Sequence, residues 1–189
     1  MNMVSVSDIR HHETEYIFDP LLPCGVMSIV EGHPGSGKSF FTIGMALAVA
    51  TGRKLCLGSN VLEPTRSGNV LMFACEDPPS VVKHRIQQMC SGDVPSNIYY
   101  FFEPVDLRVA RDEIEDIIDS YKPALVVFDP IMNYMGEGID AHRDNAVRAV
   151  LSPYIQMASR HRCAFVVVRH LRKNAQDAHA IARGIGSIA

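Results

Sequence analysis

Residues Gly32-His33-Pro34-Gly35-Ser36-Gly37-Lys38-Ser39 fit the pattern G-x-x-x-x-G-K-[ST] at every position. Such a segment has one well-understood chemistry. Its glycines let successive backbone N–H groups turn inward around phosphate oxygens. A following helix adds the partial positive charge of its N-terminus. Lys38 supplies a point charge for the β- and γ-phosphates, and the Ser39 hydroxyl can ligate Mg²⁺. The binding segment is taken to run from Gly32 through Phe40. An ordinary glycine-rich turn is the plain alternative, but the full match between a strand and a helix argues against it. There is no G-x-G-x-x-G, so this is not a dinucleotide fingerprint.

Acidic residues stand where apolar runs stop. Asp129 follows Leu125-Val126-Val127-Phe128, the arrangement that holds Mg²⁺ through its water shell, since this ion dehydrates reluctantly. Alone it would read equally well as a turn aspartate before Pro130. Glu76 and Asp77 follow Val70–Cys75. Hydrolysis needs a carboxylate that orients water towards the γ-phosphorus, and Glu76 suits that role. The competing reading gives both acids to the N-terminus of the next helix, and Asp77 fits it better. Arg169 and His170 end a further apolar run. His170 there can sense the γ-phosphate, against the reading of a structural histidine. Arg160, His161, Arg162, Arg169, Arg172 and Lys173 form a locally basic stretch, either a nucleic-acid contact or a solvated face. Arg183 is a candidate arginine finger reaching a neighbouring subunit's phosphates.

These groups need elements to position them. Apolar runs at Gly25–Glu31, Asn69–Cys75, Ile98–Phe102, Ala124–Phe128 and Ala164–Val168 read as buried strands. Between them lie expected helices: Lys38–Thr51, closed by Gly52; Pro78 to about Cys90; Val109–Tyr121; and His142–Arg160, which Pro153 should kink or restart. Strands that are apolar throughout and alternate with helices predict an α/β fold, a mostly parallel sheet with helices on both faces. Ligands bind beyond the carboxyl ends of such strands, where the motifs fall. Residues 1–20 are polar and read as an arm or tail, with the phosphate-loop domain spanning 21–189.

Composition narrows the classes. The 189 residues are 47% hydrophobic and 21% charged, with net charge −3, which excludes a disordered or coiled-coil chain and gives no global basic field. Phe40–Ala50 is too short an apolar stretch to span a bilayer. The N-terminus is not a secretory signal. The 5 cysteines show neither a CxxC nor a zinc spacing and read as reduced thiols of a cytoplasmic protein.

With these residues together, the chain resembles the RecA-like P-loop ATPase superfamily, and within it the plasmid RepA-type hexameric replicative helicases and related phage or mobile-element AAA ATPases. The likeness covers residues 20–189 and rests on GHPGSGKS at 32–39, ACED at 74–77, LVVFDP at 125–130, VVVRH at 166–170 and ARGIGSIA at 182–189. It implies ATP and Mg²⁺ as ligands, Lys38 and Ser39 on phosphate and metal, Glu76 as catalytic carboxylate, Asp129 as the second metal-site acid, His170 as γ-phosphate sensor and Arg183 as a finger acting in trans. It also implies a homo-oligomeric ring and single-stranded DNA as partner, through loops at 131–140 and 171–180. Their basic residues are few, with Arg143, Arg172 and Lys173 in and beside them. The family domain continues beyond the R-G-x-G segment, so a domain truncated at its C-terminus is expected. A slow regulatory or assembly ATPase, KaiC-like or a recombination mediator, is the alternative of a different class. A small-molecule kinase is disfavoured by Glu76 and the R-G-x-G segment, and a GTPase by the lack of N-K-x-D.

Overall fold

The computed structural model describes residues 5–8, 13–90, 92–136, 138 and 144–171, the side chains of 144 and 145 aside. Its centre is a parallel sheet built from β3 (Met27–Gly32), β6 (Val70–Phe73), β7 (Ile98–Phe101), β8 (Leu125–Phe128) and β9 (Ala164–His170), after the short β1 (Tyr16–Phe18), β2 (Leu22–Pro23), β4 (Leu55–Leu57) and β5 (Asn60–Leu62) are set apart. The strand order is β3-β9-β8-β6-β7, every neighbouring pair parallel. The helices are α1 (Lys38–Thr51), α2 (Pro79–Met89), α3 (Arg111–Tyr121) and α4 (Asp144–His161). The expected α/β architecture is therefore the observed one, a sheet covered on both faces as in RecA-like P-loop proteins.

Strand parity divides the core. Leu71, Phe73, Val126, Phe128, Phe165 and Val167 point to the face covered by α3 and α4. Val70, Met72, Leu125, Val127, Ala164 and Val166 point to the face covered by α1. The inner strands β6 and β8 are buried at every position, so each reads as an unbroken apolar run rather than an alternation. Ile43 of α1 packs with Val82 and Ile86, placing α2 on the α1 side.

Three differences from expectation have physical causes. Pro153 neither stops nor restarts α4. The proline removes one backbone donor, but Leu151, Tyr154, Met157 and Ala158, all 0% exposed, bury the helix along its length. Tertiary packing, not local propensity, decides whether such a helix persists. The α3 helix begins at Arg111, because Val109 and Ala110 instead donate to the Asp106 carbonyl in a turn. Finally, Ile17 and Phe18 are core residues on the α1 face, so this part of the 1–20 segment packs on the domain instead of hanging free. The hairpins β1-β2 and β4-β5 are too short to show a period in the sequence. Among the described residues no helix is long and apolar enough to cross a membrane.

Candidate active site

The parallel register lines up the carboxyl ends of the strands. Gly32 lies opposite His170, Phe128 opposite Val167 and Phe73, and Phe73 opposite Phe101. The ladder extends one step further, with Asp129 N–H donating to the Phe73 carbonyl and Ala74 N–H to that of Phe101. Residues just beyond these positions are thereby gathered along one edge: the phosphate-loop segment, Glu76, Asp129 and His170.

The loop Gly32–Ser39 joins β3 to α1. Gly35 and Gly37 have φ of +77° and +86°, left-handed values that only glycine takes without strain. His33, Pro34, Gly35, Ser36 and Gly37 are exposed. Lys38 is 7% exposed, and its ammonium donates to the Gly32 and His33 carbonyls at 2.9 and 2.8 Å. It uses two of its three N–H donors to hold itself inside the loop. Phe40, on the first turn of α1, is exposed, with the Arg85 guanidinium 5.3 Å from its ring centroid.

Asp129 is 6% exposed. Its Oδ2 accepts from the Thr42 hydroxyl at 2.9 Å. Burial raises its pKa, and hydrogen bonds from Thr42 and then Ser39 pull it back down. Thr42 is 0% exposed and sits one turn past Ser39, so α1 presents two hydroxyls to this one carboxylate. Sequence reading missed Thr42; its only signal was the spacing of three from Ser39 on a helix already assigned.

Glu76, beyond β6, and His170, at the end of β9, meet across the end of the intervening β8, with Nε2 4.0 Å from Oε2. Glu76 is half exposed, its side chain 51% accessible, which leaves it open to water. Asp77 does not cap α2: that helix has no side-chain cap, and Asp77 instead forms a two-bonded ion pair with Arg85, one bond at 3.1 Å. A cleft lined by Ser39, Thr42, Glu76, Asp77, Arg85 and Asp129 joins these groups. Arg85 was not a sequence candidate, because nothing in its neighbourhood marks it.

Among the described residues of the basic stretch, each cation lies against an acid. Arg160 pairs with Glu115, Arg162 with Glu15 at 2.6 Å and Arg169 with Glu31 at 3.2 Å, while His161 lies 3.5 Å from both Glu115 and Asp119. Each described cation answers an acid distant in sequence. Arg143, Arg172, Lys173 and Arg183, with most of the 171–180 loop and part of the 131–140 loop, lie outside the described residues.

The residues present suit a polyphosphate and a hard divalent cation. The loop offers glycines in the left-handed conformation and a lysine, and Ser39 and Asp129 form an all-oxygen pair of the kind Mg²⁺ prefers. A family model described as an AAA domain matches residues 4–176. No curated protein matches the chain. The match spans nearly the whole sequence and agrees with the sheet and the loop, and the chain belongs to the AAA domain family of P-loop ATPases.

Proposed function

We propose that the protein binds ATP with Mg²⁺ and hydrolyses it to drive a nucleic-acid-associated motor, a RepA-type replicative DNA helicase working in the cytoplasm as a homo-oligomeric ring on single-stranded DNA. The observation that carries the reading is the gathering of a phosphate loop, a buried hydroxyl-bonded Asp129 and the Glu76–His170 pair at one sheet edge. In this reading the amides of Gly35 to Ser39 and the Lys38 ammonium hold the phosphate chain. Ser39 and Asp129 hold the cation, which when bound supplies charge neutralisation on the phosphate oxygens.

Glu76 is the residue that orients water and takes its proton. It is exposed enough to meet solvent and near enough to the loop's strand to face the phosphates. His170 stands directly beside Gly32 in register and within 4.0 Å of Glu76. It can therefore respond to the phosphate and to the carboxylate together, and transmit the change into the segment after β9. Arg183 completes the assignment as a finger from a neighbouring subunit.

The test is steady-state ATP hydrolysis with and without single-stranded DNA, over a range of protein concentrations. Turnover that rises with DNA, and more steeply than linearly with protein, supports the motor and a neighbour's arginine. Slow, linear, DNA-indifferent turnover leaves a nucleotide-binding domain that is either truncated or regulatory. Glu76→Gln should keep ATP binding while hydrolysis falls about 10²–10⁴-fold, the usual range for loss of a general base; hydrolysis at the parental rate would assign the water to another carboxylate.

A further inference from the structure

Tyr100 is unexplained by the assignments above. It lies on β7, the edge strand, and its hydroxyl is fully buried without a hydrogen-bond partner among the described residues. Parity puts Tyr100 on the α1 face, with Met72 and Val127. Asp129 follows Val127 by two, so it keeps to the same face. Tyr100 accordingly lines the same cleft as Ser39, Thr42, Glu76 and Asp129. Its ring stacks on Phe102, centroids 5.5 Å apart, which fixes where the hydroxyl points.

A buried hydroxyl without a partner is costly, and native structures retain one mainly where something else satisfies it. Phenylalanine would fill the same stacked position without that cost. Burial also pushes the phenol up, with the Asp129 charge adding to the effect. The phenol is a neutral hydroxyl, able both to donate and to accept, in a lining it shares with the Ser39 and Thr42 hydroxyls and the Glu76 and Asp129 carboxylates. Mg²⁺ keeps several of its waters in protein sites; their oxygens face the cation and their O–H groups need acceptors, which a phenolic oxygen can be.

We infer that Tyr100 is a binding residue of the metal–nucleotide site, its hydroxyl hydrogen-bonding the water shell of the cation held by Ser39 and Asp129. This rests on the ATP–Mg²⁺ reading of the cleft. Its role is to favour the metal-loaded nucleotide over the bare one, not to touch the reacting phosphorus.

The experiment measures ADP affinity of the full chain with Mg²⁺ and with excess chelator, for the parent, Tyr100→Phe and Ser39→Ala. For Tyr100→Phe the gain in affinity on adding Mg²⁺ should shrink about fivefold, the weight of one neutral hydrogen bond. Metal-free ADP affinity should stay at the parental value, and the melting temperature of the nucleotide-free protein should rise, because the unpartnered hydroxyl is gone. An unchanged Mg²⁺ gain overturns the inference. An equal loss with and without metal also overturns it, because the hydroxyl would then serve the nucleotide or the fold. Ser39→Ala separates the two levels: if it too keeps the full Mg²⁺ gain, the metal-site reading itself has failed, and Tyr100 is not at fault.

Discussion

Replacing Thr42 with valine tests how Asp129 remains usable as an ionised metal ligand inside the protein. The substitution keeps the shape and removes only the hydroxyl. That hydroxyl lies 2.9 Å from Asp129 Oδ2 and 3.1 Å from the Ser39 carbonyl. It has one proton, and the carboxylate is the stronger acceptor. A hydrogen bond to a charged group is worth about 1.5–3 kcal/mol, so Thr42→Val should cost about 2 kcal/mol near neutral pH. For a chain of this size, that amounts to a melting temperature about 4–8 °C lower.

The pH dependence is the sharper test. Burial raises the folded pKa of Asp129 above its ordinary 3.8. A group raised in this way favours the folded state fully below its unfolded pKa, and that contribution is lost as pH rises through the folded pKa. Ionised Asp129 thus already weighs against folding near neutral pH, and Thr42 lightens that weight. Without Thr42 the pKa rises further, so the penalty of the variant is largest near neutral pH. It should shrink by about 1 kcal/mol as pH falls towards 3.8, where the lost bond becomes one between neutral groups. Urea unfolding of parent and variant at paired pH values measures this directly, and the background acid sensitivity common to both cancels. A penalty that is constant with pH, or that grows in acid, refutes the account of Asp129 as a buried carboxylate kept ionisable by Thr42.

Two other substitutions probe different parts of the edge. Lys38→Ala should abolish most nucleotide binding and turnover, because the loop loses the charge it holds between the Gly32 and His33 carbonyls; normal turnover in that variant removes the phosphate-loop assignment. Gly136→Ala should destabilise the protein by about 1–3 kcal/mol, through a left-handed backbone and overpacking. Its φ is +78°, and a Cβ there would run into the Asp106 and Arg108 side chains; a melting curve identical to the parent's would show that the turn after Tyr134 relaxes freely.

The parallel sheet and the phosphate loop were legible because both are local. An inner strand covered on both faces is apolar throughout, and its end is marked by the first charged residue, which is how Asp129 and Glu76 were found, while His170 follows Arg169 at the end of its run. What stayed hidden depends on contacts between distant segments. Thr42 and Asp129 are 87 residues apart, and Arg162 finds Glu15 across 147. The ion pairs of Arg160, Arg162 and Arg169 were hidden because their acids are far away in sequence. Pro153 suggested a break because local propensity cannot see the core that α4 buries.

Tyr100 marks the boundary between the two kinds of information. Parity alone says that residues 98 and 100 share a face, as do 125, 127 and 129, since side chains alternate along a strand. It does not say which strands are neighbours, nor that both faces in question are the one α1 covers. Those facts come from the order β3-β9-β8-β6-β7, which no short segment encodes. Once the order is fixed, parity acquires direction. The odd positions that carry Leu125 and Val127 into the core carry Asp129 to Thr42, and the alternation that buries Ile98 turns Tyr100 into the same cleft. The strands thus position the site by the same rule that builds the core, with the polar groups set where the apolar run ends.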